Sequence, residues 1–469
     1  TIQRDRAGDM IPHLHWLYNL TGEPWLLSLA TRFYRHLRPA HNEWLDLHVV
    51  HFTQRFSYSG LYYPQTHDPA LLARCEYWYR QHLGTWGQQP RGIFGGDENV
   101  RSGCVDPRQA IETCGMVEFN KSFYQLGRIT GDPLWADRCE DVTLNHFPAA
   151  SDPWLKSLHY LTASNQPQLD CSEQHEYGNK GRQIDYSPHL YRCCQHNVAM
   201  GWPWYSQHLW MATPDRGLAA WLYAACEVQA QAGVDGTEVT LIEETAYPFQ
   251  GTVKVTVSCP TPTTFPLYLR VPRWCTGFRV AVNGRELEVR PDPGTWVRIE
   301  RCWTAGDGVT LTMPMEVGLT TWPRHGSVTV DRGPLSYSVA IGEEWRRCGG
   351  TDEWPEWEVL PTTPWNYGLA LDPEAPLAGF SVQERGAVAD QPWTPEAAPV
   401  ELTARARRIP AWGLENQTVE ELRPSPVRST EADEQIRLIP LGCARLRMAC
   451  LPVIGKGEEA RDWGEYPGF

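Results

Sequence analysis

The sequence predicts a multidomain α plus β protein, with helical hairpins in the amino-terminal half and a β-sandwich after them. Two observations carry this expectation. Up to residue 232 apolar residues recur at helical spacing, as in Met10, Leu14, Leu17 and Leu20, then Leu26, Leu29, Phe33 and Leu37. Beyond residue 232 the period changes to two, in short closely spaced runs. A third observation is a repeated punctuation. Leu17–Trp25, Leu61–Ala70 and Leu126–Trp135 each place a turn residue before Pro, and Met211–Asp215 is a degenerate fourth copy.

Each copy ends one helix and starts the next, with Thr or Asp able to cap and Pro at the first helical position, where its missing N–H is harmless. Repeated hairpins with apolar inner faces stack as a solenoid or close as an α/α toroid. The spacing gives about four hairpins, fewer than a closed six-hairpin toroid needs. After residue 232, strands are expected at 237–242, 251–258, 266–271, 278–282 and 286–290. Further runs follow at 296–299, 309–313 and 328–330. Asn283-Gly284 is a type I′ hairpin signal. Residues 345–400, rich in Pro, Trp and Glu, read as a long irregular excursion, and strand-like runs resume at 399–404 and 437–441. The expected division is therefore 1–232, 233–345 and 346–469.

Composition removes several function classes. The 469 residues carry 42 Lys+Arg against 56 Asp+Glu, a net charge of -14, with no basic block. Nucleic acid and anionic membrane are not expected partners. The longest apolar runs, such as Gly217 to Cys226, fall far short of the roughly 18–20 residues of a membrane span. Charged residues at 21% and hydrophobic ones at 42% exclude a disordered chain. The fourteen Cys are scattered without a framework, which leans towards a reducing, cytoplasmic setting, and most read as small buried hydrophobes. The chain opens on Thr1 without a signal-like segment, so an internal start is expected, with the amino-terminal part of the helical domain absent.

Three segments carry candidate chemistry. Gly95-Gly-Asp-Glu98 is a glycine turn presenting acids, Glu112-Thr-Cys114 opens a helical stretch, and Tyr191–Asn197 contains Cys193, Cys194 and His196. Taken singly, each is a helix face or a core residue. Together they supply three thiols and a carboxylate, which suit tetrahedral Zn²⁺ by softness and number. A zinc ion with four protein ligands is usually structural. Most of the 22 Trp are expected in the core, although Trp faces also stack on sugar rings.

The combination resembles glycoside hydrolase family 127, which includes the β-L-arabinofuranosidases. Glu98, then Glu112-Thr-Cys114, then a Cys pair some 80 residues later occur in family order. So do Pro266–Trp274, Val282-Asn-Gly284, Arg301–Asp307, Val330–Leu335 and Ile439–Arg447. The resemblance implies an (α/α)6-barrel catalytic domain followed by β-sandwich domains. It implies Glu112, Cys114, Cys193 and Cys194 as zinc ligands, Cys193 as nucleophile and Glu98 as general acid/base. His48 and Tyr160 stand where the family contacts sugar, with His51 a neighbouring competitor for His48, and His196 lines the pocket or caps a helix.

The implied activity is a zinc-dependent retaining glycoside hydrolase acting on a glycoside or oligosaccharide. A thiolate can replace the usual carboxylate nucleophile when a metal keeps it deprotonated. A shorter Glu98–Glu112 interval with an extra Cys104, and Gln-His-Asn after the Cys pair, leave another sugar open, such as aceric acid of pectin. Two further readings stand beside it. One is a non-catalytic carbohydrate-binding remnant with a structural zinc. The other is a hydrolase using zinc-bound water, for which no His-Glu-x-x-His signature is present. A homodimer is left open.

Overall fold

The computed structural model describes residues 5–37, 48–101, 107–173, 175, 177 and 181–465; Thr1 and Cys104 lie outside them. Among the described residues there are eight α-helices. They are α1 (Met10–Thr21), α2 (Trp25–His36), α3 (Val49–Arg55), α4 (Tyr58–Thr66), α5 (Pro69–Trp86), α6 (Thr113–Thr130), α7 (Leu134–Thr143) and α8 (Arg192–Ser206). None is long and apolar enough to cross a membrane.

The repeated punctuation works as its chemistry dictates at three places. Gly22 and Gly131 take left-handed φ of 72° and 68° at the ends of α1 and α6, and Pro24 and Pro133 precede the next helices. Between α4 and α5, His67 takes the left-handed position and Asp68 accepts from Ala70 N at 3.0 Å. The fourth copy behaves otherwise. Met211 and Ala212 end a strand that turns back on Leu218–Ala220. The run from Gly217 is apolar throughout, and periodicity cannot separate a buried strand from a buried helix there. The strands of the larger sheets therefore begin at Trp210, before residue 232. On α1, Ile11 and Leu14 are buried while Met10 and Leu20 face solvent, so the buried stripe is rotated from the expected one.

The β region contains three larger sheets. A six-stranded sheet runs 285–286, 279–282, 307–312, 252–258, 237–245 and 226–232, and a four-stranded sheet runs 295–303, 263–271, 218–220 and 210–212. The Asn283-Gly284 turn has both φ positive, as a type I′ hairpin requires, but its return strand is only Arg285–Glu286. A third sheet runs 317–322, 327–332, 335–339, 434–440, 400–408 and 367–369, with 381–384 pairing on 400–408.

The expected irregular excursion contains a regular hairpin, Glu343–Gly350 with Pro355–Pro361. It docks back on the helical half through bridges Leu169–Val359 and Tyr186–Trp357 and through a Cys171–Cys348 disulfide. These two Cys were expected to be isolated apolar filler. A partner 177 positions away leaves no local signal in sequence.

Charged and backbone contacts lock the halves together. Arg270, fully buried, donates to Asp137 at 2.6 Å and to Glu140 of α7, and to Trp221 O at 2.7 Å. Arg273 pairs with Asp141. Near the carboxyl end, Arg447–Met448 pairs with Asn165–Gln166, and Asn165 Nδ2 donates to Cys450 O at 2.9 Å. Two fully buried arginines, Arg445 and Arg447, lie close enough to His159 and Tyr186 to act on both electrostatically.

Candidate active site

Four chain segments converge on one point. Val49 N, opening α3, donates to Glu98 O at 2.9 Å, and His48 bridges to Asn99, which brings His48 beside Glu98. The turn before Glu98 needs its glycines: a Cβ on Gly96 would sit 2.7 Å from Val49 Cγ2. Gly115 in α6 allows the same close approach, since its Cβ would meet Val49 Cγ1 at 2.5 Å. Asp97, in left-handed conformation, is fixed by Ala110 N at 2.6 Å and by Arg101 at 2.6 Å.

Glu112 is extended, at the end of a short strand paired with Leu161–Thr162, and Cys114 lies one residue into α6. That strand-to-helix switch lets the two side chains, only two positions apart, reach a common point. Thr113 fixes the junction: its N donates to Tyr160 O at 3.0 Å and its Oγ1 to His159 O at 3.0 Å. Cys193 and Cys194 occupy the first turn of α8, which packs on α6.

The ligand atoms of Glu112, Cys114, Cys193 and Cys194 all lie within 4.8 Å of one another. Cys114 Sγ and Cys194 Sγ are 3.2 Å apart and unbonded. Glu112, Cys114 and Cys194 are buried, whereas Cys193 is exposed. Among the described residues Glu112 Oε2 is buried without a hydrogen-bond partner. Three thiols, one carboxylate and an orphaned carboxylate oxygen fit a soft tetrahedral cation such as zinc.

The electrostatics divide the cluster. Burial pushes the Glu112 carboxyl up to about 8. Hydrogen bonds from Cys114 and Cys194 hold the Cys193 thiol far below its ordinary range, while the same contact with Cys193 raises Cys114. Burial raises Cys194. A single negative charge is thus best placed on the exposed sulfur. Glu98 is held below the usual carboxylate range by its contact with His48, whose Nε2 is 3.6 Å from Oε1, against an opposing push from burial.

Tyr160 Oη stands 4.0 Å from Cys193 Sγ and also interacts with the Glu98 and Glu112 carboxyls; burial keeps its hydroxyl protonated. His51 lies beside His48, with ring centroids 4.5 Å apart and the planes tilted by 42°, and its N donates to His48 Nδ1 at 3.3 Å. His196 lies exposed on α8, one turn beyond Cys193 and inside the helix, so of its two expected roles the cap does not apply.

The cluster therefore unites Glu98, Glu112, Cys114, Tyr160, Cys193 and Cys194, with His48 at its edge. Sequence reasoning left Asp185 and Tyr191 without a role, although the structure sets Tyr191 against Tyr160 and joins it to Asp185. Tyr191 directly precedes the Cys segment, but a lone aromatic there reads as a core residue.

Comparisons with known proteins agree with this geometry. Residues 4–207 match the model of the β-L-arabinofuranosidase GH127 catalytic domain, and residues 217–315 match that of the GH127 middle domain. Among solved structures, the chain is similar to one described as a glycoside hydrolase, at TM-score 0.67 and 19% identity, covering 94% of this chain and 74% of that one. It is also similar to a GH127 β-L-arabinofuranosidase from Geobacillus stearothermophilus T6, at TM-score 0.65 and 21% identity, covering 93% and 70%. A GH127 β-arabinofuranosidase aligns at TM-score 0.66 and 17% identity, covering 96% and 69%. No curated protein sequence matches the chain.

Proposed function

The chain belongs to the GH127 β-L-arabinofuranosidase family, and from that premise we propose that it is a retaining glycoside hydrolase that releases β-L-arabinofuranosyl groups through Cys193. Family membership supports the class, a glycoside hydrolase acting on glycoside substrates. The observation that carries the finer reading is the exposure of one sulfur, Cys193, in a cluster whose other three ligand residues are buried. A purely structural metal site has no need of an accessible ligand. On the same reading the helical region belongs to an (α/α)6-type catalytic barrel, and the sheets beyond it form β-sandwiches.

Glu112, Cys114, Cys193 and Cys194 would hold the metal. Zinc bound there would keep the Cys193 sulfur deprotonated and make it a better leaving group. Cys193 Sγ attacks the anomeric carbon, forming a C–S bond as the C–O bond to the leaving group breaks. Glu98 gives its proton to the departing oxygen. Water then enters; Glu98 takes its proton, the oxygen attacks the anomeric carbon, and the C–S bond breaks to restore Cys193. Two inversions at one carbon give net retention.

His48, beside Glu98, orients that carboxyl and holds it ionised in the resting site. Protonation for the first step therefore accompanies substrate entry, which dries the pocket and disfavours the carboxylate charge. Tyr160 Oη, 4.0 Å from the Cys193 sulfur, would donate to it once it is a thiolate, and the exposed His196 would serve a sugar hydroxyl.

The test is release of nitrophenol from p-nitrophenyl β-L-arabinofuranoside by the wild type, Cys193→Ala and Glu98→Gln, with pectic side-chain fragments as alternative substrates. The reading expects hydrolysis by the wild type and its loss in Cys193→Ala with zinc still bound through the remaining ligands. Equal rates in wild type and Cys193→Ala would sink it.

A further inference from the structure

The wall behind Tyr160 is built from groups that the proposed chemistry does not use. Asp185 is fully buried. Its Oδ1 accepts from Tyr191 Oη at 2.6 Å, and its Oδ2 accepts from the Arg182 guanidinium. Arg182 also pairs with Glu356 at 3.0 Å, and Ser187 Oγ donates to Glu356 at 3.0 Å. Glu356 lies on the hairpin that the Cys171–Cys348 disulfide ties to this wall. The contacts thus run from the hairpin through Arg182 and Asp185 to Tyr191, whose ring centroid is 5.6 Å from that of Tyr160.

Tyr191 is also the residue that opens α8. A helix start leaves N–H groups without partners, and a Ser, Thr, Asp or Asn side chain usually takes one of them. Here the position is Tyr191, with φ -100° and ψ 64°, and no side chain caps the helix. The Tyr191–Asp185 hydrogen bond fixes instead where the first turn begins, and that turn carries Cys193 and Cys194. A buried charged pair is weak evidence for stability, because apolar groups of similar volume serve a core as well. The direction it imposes on Tyr191 is what an apolar replacement would not supply.

We propose that Asp185 and Tyr191 are positioning residues for the glycosidase chemistry: together they set the first turn of α8 and the ring of Tyr160, and so aim Cys193 at the anomeric carbon. The inference rests on the Cys193 reading above.

The test compares Tyr191→Phe, Tyr191→Leu, Asp185→Asn and Cys193→Ala in the full chain. Each is measured for kcat and KM on the nitrophenyl arabinofuranoside, for zinc per chain and for thermal midpoint. Tyr191→Phe keeps the ring and loses the tether, so kcat is expected to fall about 10- to 100-fold with little change in KM, as for a misplaced reacting group. Zinc content and midpoint should stay near wild type. Asp185→Asn still accepts from Tyr191 and should retain more kcat than Tyr191→Phe, whereas Tyr191→Leu should retain less.

Wild-type kcat in Tyr191→Phe, beside an inactive Cys193→Ala, would overturn the positioning role alone. A loss of kcat matched by loss of zinc or a fallen midpoint would overturn it too, in favour of a structural role. An active Cys193→Ala enzyme would instead overturn the nucleophile reading on which the inference stands.

Discussion

Arg270→Met removes the cation that pairs directly with two buried carboxylates, Asp137 and Glu140. Arg270 is fully buried and donates to Asp137 at 2.6 Å, to Glu140 and to Trp221 O. Methionine fills similar volume, so little of the loss is cavity. What remains is uncompensated charge, and breaking a buried pair from one side costs about 3–5 kcal/mol. The cost depends on pH, because the carboxyls can escape by taking up protons.

Even with Arg270 present, burial pushes Glu140 up to about 7, and Tyr247 Oη at 2.8 Å only partly offsets this. Its folded pKa lies above the unfolded value, so the folded state gains a proton that the unfolded state lacks, and stability falls as pH rises through that window. Without Arg270 the window extends higher. The difference between variant and wild type should therefore grow by about 1.4 kcal/mol per pH unit above pH 7. Urea unfolding followed by Trp fluorescence at pH 6, 7 and 8 reads this directly. Glu140→Gln in the Arg270→Met background should recover part of the loss. A penalty under about 1 kcal/mol that is flat with pH would refute the charge argument.

Two further outcomes follow from the same physics. His146 and His159 are fully buried, and desolvation holds both near 3, well below the unfolded value. Their contribution to stability is complete above about pH 6.5 and is lost as pH falls, by about 2 kcal/mol each at pH 5, while buried carboxyls such as Glu140 shift stability the other way. His146→Asn and His159→Asn should therefore gain on the wild type by about that much between pH 7.5 and 5, and a difference from the wild type that is flat with pH would contradict this. The Cys171–Cys348 disulfide spans 177 positions, and its chain-entropy effect is about 5 kcal/mol. Reductant or Cys348→Ser should lower the thermal midpoint, and an unaltered midpoint in both would remove the disulfide from the account.

Much of the site was legible before the fold, and the reason is chemical. Three thiols and a carboxylate among Glu112, Cys114 and the Cys193-Cys194 pair suggest a soft metal, and the order of these residues after Glu98, which resembles a family pattern, supplies the expected roles. The helix punctuation at Gly22, His67-Asp68 and Gly131 was legible because left-handed positions and caps constrain residue type locally. The strands at 210–220 were not, because buried strands and buried helices share a continuous apolar run. The hairpin at 343–361 was hidden by its composition, since strands with a solvent face and many Trp and Glu lack a clear alternation. Asp185 and Tyr191 were illegible because their meaning lies in contacts between loops, which no spacing records.

The claim most open to direct test is that Cys193 carries the sugar between the two steps. In Glu98→Gln, a β-L-arabinofuranoside with an activated leaving group should still glycosylate the enzyme, while the water step, deprived of its base, becomes slow. Mass spectrometry of the quenched, digested protein should then find one anhydropentose on the peptide containing Cys193, absent when Cys193→Ala is added to the same background. An unmodified Cys193 in a variant that releases a stoichiometric burst of the leaving group, or the sugar on a different residue, would contradict the account.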